Sequence, residues 1–108
     1  MEWFLSPEPF GYWHFATDIY NQRYEGKGYN GTLNVPWESR IIMKKDCWIV
    51  LAKIPFTSIG LKADSEHVLA MFVRETTAKA KSGRSEFSSW NGGMVHQPAG
   101  FGKIILGK

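Results

Sequence analysis

The chain has 108 residues, of which 44% are hydrophobic and 15% aromatic, and a net charge of +3. This length suits one domain, residues 1–108, with a core of modest size. The positive charges are few and scattered, and no apolar run approaches membrane-spanning length, so neither nucleic-acid binding nor membrane insertion is predicted. Cys47 is the single cysteine, which excludes an intrachain disulfide, and we expect it to pack beside Trp48.

Two strands joined by a turn are predicted at the start of the chain. Glu2–Ser6 is the first strand, Pro7–Gly11 carries turn chemistry, and Tyr12–Ile19 is the second strand. One face of the second strand, the expected core side, carries Trp13, Phe15, Thr17 and Ile19; the other carries Tyr12, His14, Ala16 and Asp18. We expect the two strands to form a hairpin.

The middle of the chain is predicted to hold the strand that organises the fold. Asn21–Gly31 is polar and rich in glycine and tyrosine, which predicts a long loop of the kind that often binds ligands. Ser39–Lys45 is the third strand. Trp48–Pro55 is apolar on both sides over its first half, so we expect it to cross the middle of a sheet and to be covered on both faces. Pro55 ends it, and Phe56–Gly60 predicts one helical turn.

The C-terminal part of the chain predicts three more strands. His67–Glu75 is the fifth, Phe87–Trp90 a short sixth, and Phe101–Leu106 the last. Between them lie a basic, solvated loop at Ala78–Arg84 and a glycine-rich loop at Asn91–Gly100. About seven strands with almost no helix predict an all-β fold, an antiparallel β-sandwich of immunoglobulin-like or jelly-roll type.

A series of short motifs resembles the order of landmarks in family 9 carbohydrate-binding modules. The motifs are Trp48-x-Val-x-Ala-x-Ile-Pro55, Ile59-Gly-Leu61, Phe72-Val-Arg74, Ser88-Ser-Trp90 and His96-Gln-Pro98-x-x-Phe101-Gly102, with Glu2 opening a matching N-terminal segment. The resemblance covers the whole chain but only the C-terminal portion of the family's domain. It implies a sandwich truncated at its N-terminus, and we expect the chain to form a homodimer, or to swap strands, to cover the resulting sheet edge.

The resemblance implies a non-catalytic carbohydrate-binding domain. Such a domain is normally an appendage of a secreted glycoside hydrolase, so the implied partner is a plant-type oligosaccharide or polysaccharide, and the implied location is outside the cell or on its surface, within a larger protein. No cofactor is implied, although a structural calcium ion is known in such modules; no Asp/Glu cluster here has the ligand density for one. The sequence also lacks paired-carboxylate, nucleophile and metal-ligand motifs, so we predict that it is not an enzyme.

Six residues are the candidates for carbohydrate binding: Glu2, His14, Asp18, Arg74, Trp90 and His96. Among them, Trp90 could instead lie in the core beneath the glycine-rich loop, and Arg74 could be an ion-pair partner of Glu75 or Glu86. His14 and Asp18 share the face on which the family binds sugar, yet they also fit an ordinary polar outer face.

Departures from the family's pattern support a rival prediction, a structural or interaction domain that has lost sugar binding. Ala16 stands where the family has an arginine, and Val95 falls near the position of one clamping tryptophan. The aromatic excess and the His14/Asp18 face favour sugar binding instead, because sugar faces stack on aromatic rings while their hydroxyls need polar partners.

Overall fold

Antiparallel strands with almost no helix make up the part of the chain that the structure, a computed structural model, describes: residues 1–7, 11–76, 86–92 and 96–107. The strands are β1 (Glu2–Ser6), β2 (Trp13–Thr17), β3 (Arg23–Lys27), β4 (Glu38–Met43), β5 (Trp48–Lys53), β6 (His67–Thr76), β7 (Glu86–Ser89) and β8 (Gly102–Ile105). The fold is all-β and sandwich-like, as predicted, with eight described strands instead of seven. The predicted basic loop at Ala78–Arg84 lies outside the described residues. No described helix is long and apolar enough to cross a membrane.

The main sheet has the order β3-β2-β1-β6-β7, and β8 pairs with β6 beside β7. The predicted β1–β2 hairpin is confirmed, and β1 also pairs antiparallel with β6. In this register His14, Phe4 and Met71 lie side by side across three strands. Neighbouring strands therefore present this row of side chains on one surface, which we call the front face; the opposite surface, which carries Trp3 and Phe15, is the back face.

Both faces of the main sheet carry buried apolar clusters, because β1 and β6 are apolar at both alternations. The front cluster comprises Phe4, Tyr12, Met71, Val73 and Phe101. The back cluster comprises Phe15, Trp37, Ile59, Leu61 and Val68. On the predicted core side of β2, Phe15 and Thr17 are buried and Trp13 is partly buried, whereas Ile19 lies in the turn after the strand and is exposed.

The back face is covered by the segments that flank the β4–β5 ribbon. Helix α1 (Phe56–Ile59) is the predicted single turn, and Gly60 ends it in the left-handed region at φ 72°. The Ser58 hydroxyl donates to the Pro36 carbonyl at 2.6 Å, which fixes the helix to the segment before β4. These contacts bring Trp37 and Ile59 onto Phe15.

The prediction of a central strand at Trp48–Pro55 is wrong. Among the described strands, β5 pairs with β4 alone, in a separate two-stranded ribbon, and Leu51 is 52% exposed. The apolar character of both sides of the strand predicted burial, but alternation says nothing about which strands become its neighbours. Cys47 lies in the turn between β4 and β5 and is exposed, so its predicted packing beside Trp48 is wrong as well.

The prediction of a loop throughout Asn21–Gly31 is also wrong, because β3 occupies its centre. A β-carbon on Gly26 would lie 2.7 Å from the Tyr24 hydroxyl and 2.8 Å from the Asn30 carbonyl oxygen. Glycine is therefore required where β3 turns back, and the Tyr24 ring fills the space above it. Polar residues and glycine, which predicted a loop, here form an edge strand.

Candidate functional site

A carboxylate–imidazole pair lies on the front face where β1 and β2 run side by side. Nε2 of His14 lies 2.7 Å from Oε1 of Glu2, and both side chains are largely buried. The His14 ring stacks on Phe4 with centroids 4.2 Å apart and planes 16° apart. The hairpin register causes this arrangement, since it sets Phe4 opposite His14 and places Glu2 two pairs further along, on the same face of the sheet.

A second imidazole joins this pair from the far end of the chain. His96 has a left-handed backbone at φ 58°, and its Nδ1 is hydrogen-bonded to the Tyr12 hydroxyl. Its ring stacks on Tyr29 at 4.5 Å and meets the edge of His14 at 5.4 Å. We call Glu2, Tyr12, His14, Tyr29 and His96 the histidine cluster.

The environment shifts the pKa values of three members of the cluster. The hydrogen bond from His14 lowers the pKa of Glu2, so this carboxylate is ionised at neutral pH. Burial, and then the charge of His14, lowers the pKa of His96, which favours its neutral form. Burial raises the pKa of Tyr12, so its hydroxyl stays protonated and can donate to Nδ1 of His96. In that arrangement the imidazole proton of His96 is on Nε2.

These shifts predict that the fold loses stability in two steps on acidification. As the pH falls through 6.5, His96 becomes protonated in the unfolded chain but stays neutral in the folded chain, where its pKa is lower. The free energy of unfolding therefore decreases until the pH has fallen below the pKa of His96 in the folded chain. Glu2 contributes stability that is present above pH 4.5 and is lost as the pH falls through its lowered pKa. Urea denaturation at a series of pH values measures both steps.

A His96→Gln variant separates the first step from the second. Glutamine can accept from Tyr12 but does not titrate, so the loss of stability that begins as the pH falls through 6.5 should be smaller than in the wild type. His67→Gln, at an exposed position on β6, is the matched control and should leave that part of the profile unchanged. An unchanged slope in His96→Gln would contradict the assignment.

An open groove of about 730 Å³ runs beside the histidine cluster and shares Glu2 with it. Three aromatic residues line it: Tyr20 is 78% exposed, Tyr24 is 38% exposed, and Trp48 comes from the start of β5. Its polar lining includes two threonines, Thr17 and Thr76, and the charged or amide side chains of Glu2, Asp18, Gln22, Arg23 and Glu75. The groove thus combines aromatic ring faces with carboxylates and one guanidinium group.

The groove's side chains are held by contacts on their far sides. Nη1 of Arg23 donates to the Trp37 carbonyl at 2.7 Å, and the guanidinium lies 5.1 Å from the centroid of the Trp37 ring. Oδ1 of Asp18 accepts from the backbone N–H groups of Tyr20 and Gln22, both at 2.9 Å, which stabilises the turn between β2 and β3. Tyr24 packs over Gly26. The lining is therefore partly preorganised.

The structure brings four of the six predicted site residues to this region. Glu2, His14 and His96 belong to the histidine cluster, and Asp18 lines the groove beside Glu2. One carboxylate oxygen of Asp18 serves the turn, so Asp18 has a structural part in the site.

Arg74 and Trp90 do not join the others. Arg74 is exposed and, among the described residues, makes no ion pair with Glu75; the side chain of Glu86 lies outside the description. Trp90 is 52% exposed, so its predicted core position is wrong. Its ring lies 5.4 Å from Phe72, which shares the back face with Trp3, and a β-carbon on Gly102 would lie 2.5 Å from it.

Sequence reasoning missed the aromatic lining of both the cluster and the groove. Tyr24 and Tyr29 lie in Asn21–Gly31, for which a loop is predicted, and Tyr20 immediately precedes it, so the tyrosine-rich composition is the available signal. Trp48 was assigned to a buried central strand. The contact between Tyr12 and His96 joins residues 84 positions apart, and no local pattern predicts it.

Comparison of the chain with models of protein families, with curated proteins and with solved structures finds no match in any of the three. The resemblance to family 9 carbohydrate-binding modules therefore stays a prediction. The described residues contain no group of three or more His, Cys, Asp or Glu side chains that could hold a metal ion.

Proposed function

We propose that this chain is a non-catalytic carbohydrate-binding domain and that its ligand lies in the groove beside Glu2. The observation that carries the proposal is the lining of that groove, which includes the aromatic residues Tyr20, Tyr24 and Trp48 together with charged side chains. The apolar C–H face of a pyranose stacks on such rings, while its hydroxyls hydrogen-bond to carboxylate and guanidinium groups at the rim.

One departure from the family's pattern is Ala16, which stands where the family has an arginine. Arg23 supports the proposal because it supplies a guanidinium group to the same groove. Ala16 lines the groove, and Arg23 of β3, which pairs with the neighbouring Thr17, lines the groove as well. Only one N–H of Arg23 is assigned to the Trp37 carbonyl, and a guanidinium carries five, so donors remain for sugar hydroxyls. On this proposal the ligand is a plant-type oligosaccharide or polysaccharide, and the chain serves a secreted glycoside hydrolase outside the cell.

Titration with xylo- and cello-oligosaccharides tests the proposal. Calorimetry should give a binding isotherm, and the emission of Trp48 should change on binding, an effect that Trp48→Phe should remove. Tyr24→Ala should weaken affinity about tenfold or more, because it removes both the stacking face and apolar contact area. Tyr24→Phe keeps the ring and should bind within about threefold of the wild type.

Absence of heat and of any fluorescence change with every oligosaccharide, at millimolar concentration, would overturn the proposal. The rival, an interaction domain without sugar binding, would then take its place. One specific observation favours that rival: the β4–β5 ribbon is apolar yet partly exposed, with Met43 63% and Leu51 52% exposed.

A further inference from the structure

The outer edge of β5 is an open strand edge. Lys44 N–H donates to the Cys47 carbonyl at 2.8 Å, so this pair is hydrogen-bonded, and the alternation of an antiparallel ladder turns the backbone groups of Trp48, Val50 and Ala52 away from β4. Within the described ranges, no backbone group pairs with that edge.

The opposite edge of the ribbon supports this assignment and is not equally open. Ser39 is the partner of Ala52, so its carbonyl also points out of the ribbon. That carbonyl accepts from Nδ2 of Asn21 at 3.2 Å, and the Ser39 hydroxyl donates to Oδ1 of Asn21 at 2.5 Å. The turn between β2 and β3 therefore occupies part of the β4 edge, while the β5 edge has no such cover in the described residues.

The composition of β5 makes its edge ready to pair. The strand reads Trp-Ile-Val-Leu-Ala-Lys, and its only charge is Lys53 at the last position. Open edges of monomeric proteins usually carry a charge or a proline within the strand, which prevents pairing with another chain. No residue of β4 or β5 belongs to either buried cluster, and a two-stranded ribbon is marginally stable without further support.

We propose that this edge pairs antiparallel with β5 of a second copy of the chain, about a two-fold axis beside Val50. In this register Val50 faces Val50 of the second copy, and Trp48 faces Ala52, so a large side chain meets a small one. The outward backbone groups of both strands form about six ladder hydrogen bonds. Each chain uses the same edge, so the assembly closes as a dimer.

The charges favour this register and a second copy as the occupant. No charged residue lies within Trp48–Ala52, so no like charges meet across the axis. The two copies of Lys53 lie at opposite ends of the joined strands, and each faces the exposed Cys47 of the other chain. Lys53 is the only charged residue of β5, so the strand offers little charge complementarity to a strongly acidic or basic partner strand.

A single added cysteine tests the register directly. In Lys53→Cys, residue 53 of one copy faces Cys47 of the other at a non-hydrogen-bonded pair, where the Cα spacing permits a disulfide. Within one chain the two positions are about 20 Å apart along the strand, so they cannot join intramolecularly. Oxidised glutathione should therefore yield a covalent dimer on a non-reducing gel.

Lys62→Cys, which replaces an exposed lysine outside the ribbon, is the matched control and should give far less cross-linked dimer. Equal cross-linking in Lys53→Cys, Lys62→Cys and the wild type, whose Cys47 is itself exposed, would overturn the register. This readout does not require that the variant bind any sugar.

The oligomeric state tests the edge independently. Light scattering at high micromolar concentration should give twice the chain mass of 12.3 kDa. Val50→Lys places two lysines face to face on the axis and should weaken dimerisation roughly tenfold or more, whereas Val50→Thr keeps the β-branched shape and should dimerise. Circular dichroism verifies the fold of each variant. A monomeric wild type, or a folded Val50→Lys that still dimerises, would overturn the proposal.

Discussion

Replacing Phe4 by alanine is expected to lower the free energy of unfolding by about 3–5 kcal/mol, the cost of truncating a well-packed aromatic residue. Phe4 is 1% exposed and lies between β2 and β6 at the centre of the front cluster. It also forms the surface on which His14 stacks at 4.2 Å. The variant should therefore lose both core stability and the support of the Glu2–His14 pair.

Urea denaturation of Phe4→Ala and Phe87→Ala, measured side by side, tests this expectation. Phe87 is 53% exposed on the edge strand β7, so its truncation should cost less than about 1 kcal/mol. Equal effects would contradict the assignment of the core. The free energy of unfolding of a domain of this size is only about 5–15 kcal/mol in total. The urea concentration at the midpoint of unfolding should therefore be much lower for Phe4→Ala than for the wild type.

The hairpin of β1 and β2, and strands β6 and β8, could be predicted because each is a short segment rich in apolar residues that is bounded by turn residues. Two features resisted the same reasoning. The apolar run of β5 is compatible with a buried central strand and with a ribbon strand, and only tertiary pairing decides between them. β3 contains Gly26, which usually disfavours a strand; here the glycine is needed because a β-carbon would lie too close to the Tyr24 hydroxyl and the Asn30 carbonyl oxygen.

The candidate site divides in the same way. Alternation places His14 on the face of β2 opposite Phe15, and the hairpin of β1 and β2 was predicted, but the pairing of His14 with Glu2 depends on a strand register that the sequence pattern does not specify. His96 was identified through the family resemblance. Its contacts with Tyr12 and Tyr29 depend on how a distant segment folds back over the sheet. Tyr24 could not be assigned to the site because its strand was predicted to be a loop.

The front and back faces depend on each other for the geometry of the groove. Arg23 lines the groove, yet its guanidinium is held by Trp37, which belongs to the back cluster. Trp37 also immediately precedes β4, so the residue that anchors Arg23 is the one from which the ribbon begins. The position of Trp48 in the groove depends on that ribbon. Substitutions in the back cluster should therefore also change the positions of Arg23 and Trp48 in the groove.

Trp37→Ala is accordingly expected to destabilise the fold by about 3–5 kcal/mol. The side chain is 6% exposed and meets Phe15 at 5.1 Å and Trp3 at 6.3 Å, so its removal leaves a large cavity between the sheet and helix α1. Nε1 of Trp37 donates to Oε2 of Glu25 at 3.1 Å. Loss of this bond adds to the cost, since Glu25 is only partly exposed.

The Trp37→Phe variant separates the contribution of ring packing from that of the hydrogen bond to Glu25. Phenylalanine keeps most of the ring contacts with Phe15 but cannot donate to Glu25, so we expect a loss of about 1–3 kcal/mol by urea denaturation, clearly smaller than that of Trp37→Ala. Equal losses in the two variants would show that packing contributes little at this position. If Trp37 also anchors the ribbon, the emission of Trp48, taken as the difference between each protein and its Trp48→Phe variant, should be similar in folded Trp37→Phe and the wild type, because an aromatic ring beside Arg23 and the start of β4 is retained. A large change in that emission would instead place the anchor of the ribbon in the hydrogen bond to Glu25.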